Sequence, residues 1–119
     1  MRRWMEVFFL LATVAPLQGK VVVFWQAGFP TVDSQPVGEG SLRVALRDVQ
    51  PVFLGLEELQ KPGTLRDADL LGLPYGSAFP ADAWPAIHEY LEDGGNPLLL
   101  GGRPLFVPVF REGDKFTPA

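Results

Sequence analysis

The stretch LLGLPYGSAFPADAW, Leu70 to Trp84, decides how this chain folds. Its opening leucines run on without polar alternation, the pattern of a strand buried on both faces. Pro74 ends the run, Gly76 permits a tight backbone, and Pro80 with Asp82 opens a helix. Strand, Gly/Pro loop and helix in this order make one half of a βαβ unit, whose crossover returns to a parallel sheet.

The same pattern extends in both directions. Upstream, VVVFW (Val21 to Trp25) is a β-branched and aromatic run, followed by the Gly- and Pro-rich loop QAGFPTVDSQPVGEG. Ser41 is expected to cap a helix in which Leu42, Ala45, Leu46 and Val49 share a face. PVFLG (Pro51 to Gly55) reads as the second strand, and a short helical turn from Leu56 to Gln60 stops at Lys61-Pro62-Gly63. Asp69 to Leu73 is the third strand. Downstream, Trp84, Ile87 and Leu91 line one helix face with Tyr90 beside them, and Gly94-Gly95 ends that helix. PLLL (Pro97 to Leu100) is a fourth buried strand closing on Gly101-Gly102-Arg103-Pro104. FVPVFREGDKFTPA reads as a hairpin turning at Glu112-Gly113-Asp114.

These elements predict an α/β fold, a flavodoxin-like parallel sheet in the order 2-1-3-4 with helices on both faces, truncated after its fourth strand. Residues 20–119 form this one domain; at 119 residues, with 47% hydrophobic, the chain has room for one core and not two. The net charge of −4 and the lack of a Lys/Arg cluster argue against a nucleic-acid partner. There is no cysteine, hence no disulfide, no thiolate metal site and no Cys nucleophile.

The N-terminus reads differently. MRRWMEVFFLLATVAPLQGK has a basic flank at Arg2-Arg3, an apolar run to Ala15 and small or polar residues after it. That layout predicts a signal peptide over residues 1–19 and a secreted or periplasmic protein; the alternative is a buried N-terminal helix or strand. The run is too short to span a bilayer, so no stable membrane insertion is expected.

In an open parallel sheet, ligands bind beyond the carboxyl ends of the strands, where the strand order reverses. Three loops meet there: Ala27 to Asp33, Tyr75 to Phe79, and Gly101 to Pro104. The candidate rim is therefore Phe29, Asp33, Tyr75, Gly76, Ser77 and Arg103. Asp33 suits a general base or a hydroxyl-binding group, or equally an Asx-turn. Ser77 follows a glycine after a strand, but YGSAF lacks the G-x-S-x-G spacing of a nucleophile elbow, so a turn hydroxyl is the better reading. Arg103 can hold an anion or fork onto Asp33, and the pairing with Asp33 is favoured. His88, the single histidine, lies on a helix flank with no nucleophile fixed beside it. No His, Asp or Glu cluster has metal-ligand spacing, and no G-x-G-x-x-G follows the first strand, so neither metal nor cofactor is expected.

The patterns FWQAGFPTVDSQP and ADLLGLPYGSAFPADAWPAIHEYLEDGGNPLLLGG resemble the class I glutamine amidotransferase-like superfamily over most of Lys20 to Pro104. The closer likeness is to its non-catalytic branch beside or inside secreted bacterial glycoside hydrolases, including the trimerisation domain of family 42 β-galactosidases. The resemblance implies a flavodoxin-like fold. It also implies that Pro74-Tyr75-Gly76 corresponds to the oxyanion loop of active members, and Leu100 to Pro104 to their nucleophile elbow. That elbow has no Cys here, and the His-Glu segment of active members is absent; an oxyanion loop without a nucleophile cannot run acyl transfer. The expected function is thus a non-catalytic module of a secreted bacterial carbohydrate-active protein, serving assembly or ligand contact. Its expected partners are a carbohydrate, a neighbouring glycosidase domain or further copies of itself. The alternative is the N-terminal fragment of a glycosidase or amidase whose catalytic residues lie beyond Ala119.

Overall fold

The structure is a computed structural model in which residues 20–119 are described; the expected signal peptide, residues 1–19, lies outside them. The Val21–Phe24 run forms β1 and is buried throughout. Val22 and Phe24 pack into one cluster and Val21 and Val23 into the other, so both faces of the sheet are covered here. β2 (Val52–Leu54), β3 (Leu70–Leu73), β4 (Ala78–Pro80) and β5 (Pro97–Leu99) follow, then β6 (Val107–Glu112) and β7 (Lys115–Pro118). The first sheet has four strands, all parallel, in the order β2-β1-β3-β5.

Three α-helices occur among the described residues: α1 (Glu39–Ala45), α2 (Leu56–Leu59) and α3 (Trp84–Glu92). Gly38, and not Ser41, is the N-cap of α1; Ser41 lies inside the helix, and no side chain caps it. α3 turns Ile87 and Tyr90 into the core. It ends in a Schellman arrangement: the Gly95 N–H donates to the Tyr90 carbonyl (2.9 Å) and the Gly94 N–H to Leu91 (3.1 Å). The larger core lies between the parallel sheet, α2, α3 and the last strands, around Phe24, Leu56, Leu59, Leu71, Leu73, Ile87 and Val109. On the other face a smaller cluster joins Val21 and Val23 to Leu42 of α1.

The expectation of a flavodoxin-like sheet with helices on both faces is overturned. That fold needs full crossover helices, but α1 has 7 residues and α2 has 4, and the rest of the link from α2 to β3 is turn. Nor does the chain stop building after the fourth parallel strand. Ala78–Pro80, expected as the end of a loop and the start of a helix, become β4 and pair in parallel with β6, while β6 and β7 form the expected hairpin. The result is a separate three-stranded mixed sheet, β4-β6-β7. Its inner face, carrying Val109, packs into the larger core where a flavodoxin-like domain would continue with a strand and a helix.

Candidate functional site

The carboxyl ends of β1 and β3 approach each other as the strand order requires. Val32 and Gly76 form an isolated parallel bridge. The Val32 N–H donates to the Tyr75 carbonyl (3.2 Å), and the Ser77 N–H returns the bond to Val32 (2.8 Å). Gly76 has φ +65°, and a Cβ there would overlap the Val32 carbonyl, so only glycine lets the two loops come this close.

Ser77 is the centre of the arrangement. It has no exposed surface. Its Oγ donates to Asp33 Oδ2 (2.7 Å) and accepts the N–H of Arg103 (2.7 Å). Its carbonyl accepts the N–H groups of Phe106 (3.2 Å) and Val107 (2.8 Å), the start of β6. One residue therefore ties the loop after β1, the loop after β5 and the second sheet together. Gly102 (φ +66°) passes so close to Ser77 that a Cβ would strike its backbone N and its Oγ. Asp33 holds φ +60°, a left-handed conformation that Asp tolerates better than most residues.

Tyr75 performs a similar task one layer below. Its hydroxyl accepts the Gln26 N–H (2.8 Å) and donates to the Gln26 carbonyl (3.2 Å). Gln26 in turn accepts the Leu56 N–H at Oε1 (2.9 Å), satisfying an otherwise orphaned donor at the start of α2. The Tyr75 ring packs against Phe24, Trp25 and Phe29, and Phe116 of β7 closes on Phe29. Burial pushes the phenol up to about 12, the bond to Gln26 opposes the shift, and the Glu39 carboxylate adds to it.

Of the six rim residues, Phe29, Tyr75, Gly76 and Ser77 are buried, while Asp33 and Arg103 are exposed. The structure brings Asp33, Ser77 and the Arg103 backbone together, and Phe29 with Tyr75. It does not pair Arg103 with Asp33. The Arg103 guanidinium lies over the Phe106 ring, 3.7 Å from its centroid, and has no carboxylate within ion-pair distance among the described residues. Asp33 is already engaged by Ser77, and the backbone bond to Ser77 turns Arg103 toward the second sheet. His88 is exposed, stacks on Trp84 and meets Glu92 (Nδ1 to Oε1 3.2 Å), away from the rim.

Sequence reasoning missed Gln26 and Phe106. Gln26 carried no signal, since a glutamine opening a loop is ordinary. Phe106 had one, because it opens the apolar run FVPVF of the expected hairpin. A cavity of about 340 Å³ lies at the opposite end of the sheet, beside Asp69, Tyr90 and Asn96. Three of its wall residues are engaged in hydrogen bonds: Asp69 Oδ2 accepts the Lys20 N–H (2.6 Å), Asn96 Nδ2 donates to the Asp69 carbonyl (3.3 Å), and the Tyr90 hydroxyl accepts the Asn96 N–H (3.1 Å).

Comparison of the chain with protein-family models, with curated proteins and with solved structures finds no match. The likeness to amidotransferase-like domains therefore rests on the quoted residues alone.

Proposed function

We propose that the chain is a non-catalytic contact module of a secreted bacterial carbohydrate-active protein, serving assembly or ligand contact. The observation that carries the non-catalytic part is the state of Ser77. A nucleophilic hydroxyl needs a free approach to its oxygen and a base to take its proton. Here Oγ is wholly buried, its proton is held by Asp33, and its acceptor position is filled by the Arg103 N–H. The carboxylate and the hydroxyl that would serve a hydrolase are instead used to join loops. The carbohydrate setting comes from the sequence likeness, and export from the Arg2-Arg3 flank and the apolar run to Ala15.

The test is turnover. Purified protein is assayed for glutamine, amide and glycoside hydrolysis, alongside Asp33→Ala and Ser77→Ala. No rate above the buffer blank is expected for any of the three. A rate that Asp33→Ala abolishes while the melting transition remains cooperative would overturn the reading. Export is checked by N-terminal sequencing of protein secreted from a bacterial host, with a start near Lys20 expected and an intact Met1 counting against it.

A further inference from the structure

The cavity of about 340 Å³ opens beyond the amino ends of β3 and β5, between α3 and the turn-rich link from α2 to β3. None of the loops joined at Ser77 lines it. Its volume falls at the lower end of the about 300–1,000 Å³ of small-molecule sites.

Two kinds of surface meet in its walls. Leu65, Pro85, Ala86 and Tyr90 supply the apolar part, and Leu65 and Tyr90 are buried. The Tyr90 ring is fixed at its far end, because its hydroxyl accepts the Asn96 N–H and donates to the Asn96 carbonyl (3.3 Å). Gly95 holds it from the side: its backbone is not left-handed, yet a Cβ there would overlap the ring. A floor locked in this way has little freedom left to lose when a ligand arrives.

Gln60, Arg66, Glu89 and Asp93 supply the polar part. The three charged side chains are exposed and have no ion-pair partner among the described residues. Glu89 and Asp93 stand one turn apart at the carboxyl end of α3, where like charges repel and the helix dipole disfavours both. The last turn of α3 has no basic residue to offset them. This arrangement costs the helix stability and returns no contact to the fold, and local rules are broken in that way mainly at functional sites.

The mixture of walls selects the ligand. Asp69, Glu89 and Asp93 outnumber Arg66, so a phosphate or a carboxylate is repelled. A simple cation would leave Arg66 opposed and the apolar floor unused. A wholly apolar molecule would strip water from the charged groups without replacing its hydrogen bonds. A sugar satisfies both parts. Its C–H face can lie on the apolar floor, while its hydroxyls donate to carboxylates and accept from a guanidinium.

We propose that this cavity is a saccharide-binding site for one or two neutral sugar units, with Leu65 and Tyr90 beneath the sugar ring and Arg66, Glu89 and Asp93 bonding its hydroxyls. The proposal rests on the ligand-contact reading above, and it locates that contact at the amino end of the sheet. The two fail separately: turnover overturns the non-catalytic reading whether or not sugar binds here, whereas absent binding overturns only the site.

The experiment is a titration of the isotope-labelled full chain with D-glucose, D-galactose, maltose and lactose, followed by the NMR shifts of its amides. D-glucuronate and D-glucosamine serve as charged controls. At least one neutral sugar should give saturable shifts at Leu65, Arg66, Tyr90 and Gly95, and D-glucuronate should bind more weakly than that sugar. Arg66→Ala and Glu89→Gln alter exposed side chains, so the fold should survive, and the amide spectrum of each variant checks it. Each should weaken binding about tenfold, the loss of one hydrogen bond to a charged group. Arg103→Ala, at the other end of the sheet, should bind as the unsubstituted chain does. No saturable shift with any neutral sugar would overturn the proposal. So would shifts centred on Asp33, Ser77 and Arg103, or an affinity that Arg66→Ala or Glu89→Gln leaves unchanged. Binding of D-glucosamine alone would overturn it in favour of a cation.

Discussion

Replacing Ser77 by Ala tests the central structural claim, that one hydroxyl latches the loops after β1 and β5. The substitution removes a single oxygen and leaves the backbone bonds of residue 77 in place. The Arg103 N–H, part-buried, loses its acceptor at 2.7 Å. Leaving such a donor unmade costs about 1–3 kcal/mol. Asp33 loses a charge-assisted bond, but its carboxylate is exposed and water replaces most of the loss, which leaves about 0.5–1 kcal/mol. The total, about 1.5–4 kcal/mol, lowers the melting temperature of a domain of this size by about 6–30 °C. Urea denaturation measures the free energy directly. Hydrogen exchange localises it: the Arg103 amide, whose acceptor is the lost Oγ, should exchange faster than in the unsubstituted protein, while the amides of Phe106 and Val107 keep the Ser77 carbonyl. A double-mutant cycle with Asp33→Ala should return a coupling of about 0.5–1 kcal/mol. A loss below about 0.5 kcal/mol, with unchanged exchange at the Arg103 amide, would refute the latch.

Three further predictions follow from neighbouring positions. Tyr75 is raised to about 12 from an ordinary 10 by burial, so its contribution is fully present below pH 10 and is lost as pH rises toward 12. Alkaline unfolding should cost about 2–3 kcal/mol over that window, and Tyr75→Phe, with nothing to ionise, should flatten it; identical pH profiles for the two proteins would count against the assignment. Gly76→Ala should cost more than about 2 kcal/mol, since both its φ of +65° and the adjacent Val32 carbonyl oppose a side chain; a melt within error of the unsubstituted protein would disprove the close approach. Pro97→Ala gives the outer edge of β5 an N–H it lacks, and should raise light scattering on concentration; unchanged scattering would mean that proline is not what protects that edge.

Continuous apolar runs such as Val21–Phe24 and Leu70–Leu73 have one stable setting, a strand covered on both sides, so the parallel sheet was legible in the sequence. The end of α3 at Gly94-Gly95 and the hairpin about Gly113 were legible for the same reason: each is a local signal read within a few residues. The meeting of the loops after β1 and β3 followed from the sheet order. What tertiary structure alone decided is where the remaining polar and apolar groups find partners. Ala78–Pro80 is too short and too proline-bounded to read as a strand, and becomes one only because Val107 and its neighbours arrive beside it. Arg103 was expected to reach Asp33, yet Ser77, 26 residues upstream, takes its backbone N–H and Phe106 takes its guanidinium. Four of the six rim residues are buried rather than offered to a ligand: Phe29 and Ser77 meet the second sheet, and Tyr75 and Gly76 are enclosed by β1 and the loop after it. Periodicity records which side of its own element a residue occupies. It carries no record of which distant segment arrives to cover that side, and that contact decided how this chain departs from a flavodoxin-like fold.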